Sequence, residues 1–403
     1  MLTPRPYQEV GRDFLASRRH ALLADEMRVG KTPQAILAAS KIGAYRVVVV
    51  CPAIAVPQWI REFDRWAPAQ WWRIVHVYSY DKARTIHAER GWQPCDLAIV
   101  DECHFAKNPQ AQRTKAIFGK DGLAWHAGRT WALSGTPLTK HPGELWPMLR
   151  AFGVTALSYT DFTERYCTFD WARNITGTRK THLSELTSII DSIMLRRTRR
   201  EVAPEMPEIG FEFLAMSGQG NLDLPIPSGL TDEQTMAWIE RHRENATRRE
   251  IALAKIPGLV HEIAGCLDRG DYKQTVVFGW HRDALEALRD GLRACGIHAQ
   301  KLIGGIPESV RSATQMEFAN GFSQVLVCQI AAAGTAIDLS AASHGYFLEL
   351  DWVPANNMQA ANRLVSLQKK EPVTFDICTW PGSADDRVQQ ILLRRAREIR
   401  EII

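Results

Sequence analysis

The sequence predicts an α/β protein of two tandem units, each a parallel sheet with helices on both faces, with a small helical insertion in the first. Three observations carry that expectation. A chain of 403 residues exceeds what one ordinary hydrophobic core serves and suits two domains with connections. Short, continuous apolar runs alternate with segments of helical period, the mark of strands buried on both faces. The alternation occurs twice, on either side of a stretch rich in Gly, Pro and Ser at 216–231. The expected boundaries are 1–205 for the first unit, with the insertion at about 155–195, then a linker and connecting helix over 206–255, and 256–403 for the second unit.

The elements follow in order. An apolar run ending at Leu23 precedes a polar loop, and an apolar-periodic segment at 33–39 predicts the helix after it. RVVVVCP (46–52), CDLAIV (95–100) and TWAL (130–133) are strands, each leading into a polar loop. Residues 157–193 fit neither sheet pattern and are assigned to the insertion. The charged stretch 232–255 reads as a helix leading into QTVVF (274–278), QVLVC (324–328), GYFLEL (345–350) and PVTFDIC (372–378), with helices at 283–295 and 310–319 between them. The arginine-rich 387–403 reads as an amphipathic helix with a solvated face over a docked stripe.

Composition sets the class. Hydrophobic residues are 45% and charged residues 23% of the chain, values of a soluble globular protein. A net charge of +4 permits a polyanionic partner without demanding one. The eight cysteines form no C-x-x-C pair, and several sit in strand-like runs. That predicts buried, reduced thiols in the cytoplasm rather than disulfides or a zinc site. No apolar stretch is long enough to span a bilayer and no secretion signal opens the chain, so no membrane partner is expected.

The chemistry starts at LADEMRVGKT. Gly30, Lys31 and Thr32, between a strand and a helix, form the invariant half of a phosphate-binding loop. Main-chain amides there face a polyphosphate, Lys31 reaches its β and γ groups, and the Thr32 hydroxyl ligates Mg2+. Asp101 and Glu102 end a buried strand, where ligands bind in open α/β sheets. Asp101 suits the same Mg2+, and Glu102 suits orienting and deprotonating an attacking water. Ser134 and Thr136 end the next strand beside them, placed to sense the γ-phosphate.

Taken in order, these motifs resemble a Swi/Snf-type motor of helicase superfamily two, most closely its compact annealing-helicase-like and phage-encoded branch. Arg5-Pro6-Tyr7-Gln8 is similar to the family's adenine-reading segment, CPAIAVPQWIREFDRW (51–66) to its first DNA-contacting segment, DECH with Lys107-Asn108 to the magnesium motif and SGTP to the coupling motif. MLRRTRREV (194–202) is similar to the segment that closes the first lobe. VVFGWHRDALEAL (276–288), AAAGTAIDLSAA (331–342) and QAANR (359–363) follow in the second.

The resemblance implies two tandem RecA-like lobes with ATP bound in the cleft between them, forming a DNA-dependent ATPase that uses ATP and Mg2+, translocates on double-stranded or branched DNA with little regard to sequence, and remodels or re-anneals it. It implies catalytic roles for Lys31, Glu102 and Arg363, the last as an arginine finger from the far lobe, and adenine recognition by Gln8. His104, Ser134, Thr136 and Gln359 would couple nucleotide to DNA, and Ala53, Trp280, His281 and Ala333 would contact the nucleic acid. Nothing demands more than a monomer, and a prokaryotic or phage-infected cell is the expected setting. Three positions depart from the pattern: Arg28 and Ala336 stand where glycine is usual, and Ser366 stands where a second finger arginine is usual. A serine cannot do guanidinium chemistry, so Arg363 suffices, Lys369 or Lys370 substitutes, or the motor is weak. Two alternatives therefore stay open: an ATP-gated nucleic-acid clamp with little turnover, and a strand-separating helicase.

Overall fold

A computed structural model describes residues 3–69, 71, 73–216, 245–333, 337–366, 368–381 and 391, which divide between Pro204 and Glu205 into two units.

The strands of the first unit are β1 (His20–Leu23), β2 (Arg46–Cys51), β3 (Ile74–Ser79), β4 (Cys95–Asp101), β5 (Ala127–Leu133), β6 (Cys167–Phe169), β7 (Ile175–Thr178) and β8 (Met194–Leu195). Six of them form one sheet in the order β3-β2-β4-β5-β1-β8, every pair parallel. The apolar runs are continuous because both faces are buried. Val47, Val49, Leu97 and Ile99 face a core with Trp59 and Phe63. Their neighbours Val48, Val50, Ala98 and Val100 face a second core with Tyr80 and Phe118. A parallel sheet puts all its carboxyl ends on one edge. The loop leaving β1 therefore lies beside the ends of β5 and β4.

The second unit repeats the plan with β9 (Ile209–Ala215), β10 (Thr275–Gly279), β11 (Ala299–Leu302), β12 (Val325–Gln329), β13 (His344–Phe347) and β14 (Val373–Thr379). Their order is β11-β12-β10-β13-β14-β9, again all parallel. Helices Asn245–Arg269 and Arg282–Ala294 cover one face through Ile256, Leu259, Leu285 and Leu288.

Two expectations need correction. The insertion is not wholly helical. Between helices Tyr159–Tyr166 and Leu183–Asp191 the chain forms the antiparallel pair β6–β7. Residues 209–215, assigned to the connecting segment, instead make the edge strand β9. The segments 217–231 and 232–244, Ala336 and all of 387–403 except Ile391 lie outside the described residues. Seven of the eight cysteines are buried, Cys295 is exposed, and all are free thiols.

Candidate nucleotide site and the motifs of the second unit

The loop at 24–30 joins β1 to helix Lys31–Lys41, and its backbone turns through left-handed conformations. Gly30 has φ 80° and Arg28 φ 69°. Arg28 thus adopts the conformation that glycine favours, at a cost of about 1–2 kcal/mol for an L residue. Gly30 has a second constraint, because a Cβ there would stand 2.4 Å from Gln8 Nε2. Gln8 is buried on helix Pro6–Ala16 and its Oε1 accepts from the Arg5 amide at 2.9 Å. The side chain is therefore fixed against the phosphate loop. The Tyr7 hydroxyl donates to the Val29 carbonyl at 3.0 Å.

Lys31 opens its helix and turns its ammonium back onto the loop, donating to the carbonyls of Asp25 (2.8 Å) and Glu26 (3.1 Å). Burial lowers its pKa, while the charges of Glu102, Asp25 and Asp101 raise it. Thr32 is the second residue of that helix, partly buried.

β4 delivers Asp101 and Glu102 to the same edge. Asp101 Oδ2 accepts from Trp59 Nε1 at 2.8 Å, and Oδ1 accepts from the Glu102 amide at 3.0 Å. Burial first, then the Glu102 charge, pushes the Asp101 carboxyl up to about 7. Glu102 has φ 49°, a strained conformation for a side-chain-bearing residue and one that concentrates at functional sites. The Tyr80 hydroxyl lies against the carbonyls of Asp101 (2.8 Å) and Glu102 (3.1 Å), holding that turn from below.

The end of β5 completes the cluster. Ser134 is fully buried; its Oγ lies 3.0 Å from His104 Nδ1, 3.5 Å from Glu102 Oε2 and 3.1 Å from the Thr136 amide, which donates to it. His104 Nδ1 is also 3.4 Å from Glu102 Oε2. Burial holds the imidazole pKa down to about 4, so it is neutral at physiological pH. A Cβ on Gly135 would sit 2.7 Å from Met27 Cγ and 3.3 Å from Lys31 Nζ, so only glycine lets this turn approach the lysine. The first unit thus brings together Gln8, Gly30, Lys31, Thr32, Asp101, Glu102, His104, Ser134 and Thr136. Ala53 is exposed just past the end of β2. The available metal donors are a hydroxyl and a carboxylate, hard oxygens that suit Mg2+ with substrate phosphates and water as its other ligands. Among the described residues no group of three or more His, Cys, Asp or Glu could hold a metal.

Sequence reasoning missed what anchors the phosphate loop. Asp25 is fully buried and paired with Arg197, which lies just beyond β8. Arg197 Nε and Nη2 donate to Asp25 Oδ1 and Oδ2 at 3.0 and 2.5 Å. Arg197 also donates to Gln34 Oε1 (2.9 Å) and the Tyr7 carbonyl (2.7 Å), and Gln34 Nε2 donates to Asp25 Oδ2 at 3.2 Å. The amide of Glu26 donates to the Arg197 carbonyl at 2.9 Å. A buried carboxylate two residues past a strand was the available signal; its partner could not be read at a distance of 172 positions.

In the second unit, Trp280 and His281 follow β10. Glu349, buried past β13, accepts from both their amides at 3.1 and 2.9 Å and lies 2.6 Å from His281 Nδ1. Gln329 at the end of β12 donates to the Trp280 carbonyl at 3.2 Å and accepts from the Gly304 amide at 2.9 Å. Glu349 and Gln329 were not anticipated either. Ala333 ends the short helix Ile330–Ala333 after β12. Gln359 is buried on helix Pro354–Ala361, and Arg363 lies in the following turn, its carbonyl accepting from the Leu339 amide at 3.0 Å. Lys369, a candidate substitute for the missing arginine, donates to the carbonyls of Ser340 (2.9 Å) and Ala342, and burial lowers its pKa. It is committed to the fold. Lys370 is exposed.

A phosphate-binding loop and an acidic pair on one sheet edge, followed by a second parallel α/β unit, define the class of P-loop proteins with two motor-type units. The chain belongs to the SNF2-related domain family: that family's model matches residues 7–89 and 70–217, more than half of the chain, and the helicase conserved C-terminal domain matches 255–367. It is similar to the SWI/SNF-related matrix-associated actin-dependent regulator of chromatin subfamily A-like protein 1 of Xenopus tropicalis, 28% identical over 94% of this chain and 43% of that one. The DNA annealing helicase and endonuclease ZRANB3 of Mus musculus is 27% identical over 97% of this chain and 40% of its own length. The chain thus spans less than half the length of these two relatives. Among solved structures, the Pyrococcus furiosus Hef helicase domain shares the fold with a TM-score of 0.52 at 15% identity, covering 96% of this chain and 98% of that one. Among the described residues no helix is long and apolar enough to cross a membrane.

Proposed function

We propose that the chain is a DNA-stimulated ATPase that translocates on duplex or branched DNA and remodels or re-anneals it, acting as a monomer in the cytoplasm. The observation that carries this reading is the convergence of Lys31, Asp101, Glu102 and Ser134 on one sheet edge. Family membership and the DNA annealing helicase among the relatives support it.

In this reading Gln8, held against Gly30, hydrogen-bonds adenine. Lys31 exchanges the carbonyls of Asp25 and Glu26 for phosphate oxygens, so ATP replaces bonds that the loop otherwise makes to itself. Thr32 and Asp101 would hold Mg2+, which neutralises charge on the β and γ oxygens. Glu102 accepts the proton of the attacking water. Ser134 and His104, both against Glu102 Oε2, fix that carboxylate and connect it through the Thr136 amide to the following loop, the basis for a coupling role that Gln359 would share from the second unit. Arg363 would meet the charge that develops on the transferred phosphoryl group, and approach of the units would gate hydrolysis. Ala53, Trp280, His281 and Ala333 would lie along the DNA backbone, with Glu349 holding both the amides of Trp280 and His281 and the His281 ring, so that this loop is fixed before DNA binds.

The commitment of Lys369 to Ser340 and Ala342 favours one second reading, the ATP-gated clamp, since with Ser366 it narrows the finger position to Arg363 and the exposed Lys370. Phosphate release measured against closed duplex, single-stranded, forked and four-way DNA separates the two. A strong rise with duplex or branched DNA supports the motor. ATP-dependent DNA retention with negligible release supports the clamp.

A further inference from the structure

The β6–β7 hairpin carries a feature that nucleotide chemistry does not use. Its tip presents Trp171 with 88% of its surface exposed, more than any other large hydrophobic side chain among the described residues. An exposed indole on a loose loop would mean little, but this tip is braced. The Asp170 amide donates to the Asn174 carbonyl (3.0 Å), and Asp170 carboxylate oxygens accept from the Asn174 amide (2.8 Å) and side chain (3.0 Å). The Arg173 amide donates to the Asp170 carbonyl at 3.1 Å; its guanidinium lies 5.0 Å from the Phe169 ring and donates to Glu164 at 2.7 Å.

The root is equally firm. Phe162, Tyr166 and Cys167 are buried, the Tyr166 hydroxyl donates to Glu185 at 2.8 Å, and the Arg179 amide donates to the Tyr166 carbonyl at 2.8 Å. Thr163 packs against Gly143 in the loop that leaves β5. Glu144, next to it, accepts from the amides of Thr139 and Lys140 (both 2.9 Å), a few residues past Ser134 and Thr136. The hairpin therefore stands on the loop that continues the coupling motif.

We propose that Trp171 is a stacking platform for a nucleobase at a DNA branch point, where a base-pair face or an unpaired base is open. An indole cannot reach a stacking face inside continuous duplex, but it can at a junction, and stacking tolerates any base. The hairpin's charge gives a phosphate backbone a path toward the tip: Arg179 and Lys180 are exposed at its root, and Arg173, paired with Glu164, is exposed at the tip beside Asp170. An apolar protein partner would need a wider apolar surface than one ring, and the tip's other exposed residues, Ala172, Arg173 and Asn174, do not supply it. The inference rests on the DNA reading given above and adds the element that would distinguish branched from plain duplex.

The test compares half-saturation of ATP turnover by a covalently closed circular duplex, which has no ends or branches, with that by a forked oligonucleotide carrying 2-aminopurine at the branch. The full chain is used in every arm. Stacking is worth roughly 5- to 150-fold in affinity per base. Trp171→Ala should therefore raise the fork value, relative to the circle value, by a factor in that range and abolish quenching of 2-aminopurine, while Trp171→Phe keeps most of both. A fork-to-circle ratio and quenching within twofold of the native chain overturn the platform while leaving the DNA reading in place. A native chain that responds to neither DNA overturns both.

Discussion

Replacing Arg197 with methionine tests what holds the phosphate loop. The side chain is only 14% exposed and Asp25 is 0% exposed, so this pair is largely sheltered from solvent screening. The substitution removes donors at 3.0 and 2.5 Å from the Asp25 carboxylate, leaving it Gln34 Nε2 at 3.2 Å. It also strips a donor from the Tyr7 carbonyl and from Gln34 Oε1. Removing one partner of a buried pair costs about 3–5 kcal/mol, because the remaining charge stays buried. For a unit of this size each kcal/mol shifts melting by 2–4 °C, so roughly 6–20 °C should be lost. The thermal melt of the full chain reads this directly. Adding Asp25→Asn removes the stranded charge, so the double variant should melt above Arg197→Met alone, with a coupling energy of about 2 kcal/mol or more. A shift under about 2 °C, or strictly additive losses, would refute the reasoning.

Other outcomes follow from the same geometry. Trp59→Phe keeps the ring but deletes the donor to Asp101, and should raise the Mg2+ concentration needed for half-maximal turnover without changing the fold seen by circular dichroism. Gly30→Ala places a methyl against Gln8 in a left-handed backbone and should abolish nucleotide binding measured by calorimetry; Gln8→Ala alongside it makes room, but the backbone penalty of about 1–2 kcal/mol remains. Ser366→Arg should raise steady-state phosphate release if a single finger arginine limits chemistry, and a fall would contradict the account of that motif. Lys369→Met should lower the melting temperature by several degrees, since it strips donors from the Ser340 and Ala342 carbonyls, a readout separate from turnover.

The strands that could be read in the sequence are those buried on both faces. RVVVVC and CDLAIV have no polar alternation to confuse with a helix, and their polar ends fall where the sheet edge presents them. β9 was missed because it is an edge strand, with Phe211 and Phe213 exposed at 40% and 58% and glutamate between them, so neither a continuous run nor a clean alternation marks it. β6 and β7 are three and four residues long, and the hairpin is held by tip hydrogen bonds and a buried root rather than by strand propensity. Lys31, Asp101 and Glu102 were legible because local order places them: a strand, a turn and the chemistry within a few residues. The Arg197 clamp on Asp25 and the Glu349 clamp on the Trp280–His281 loop are long-range pairings, fixed by which strands become neighbours, and a single sequence carries no local trace of them.

Steady-state phosphate release by the native chain and by Glu102→Gln, each with and without duplex DNA, tests the central claim most directly. Duplex should strongly stimulate the native chain, and the amide variant should still bind ATP but lose nearly all release. DNA-stimulated hydrolysis that persists in Glu102→Gln would contradict that claim.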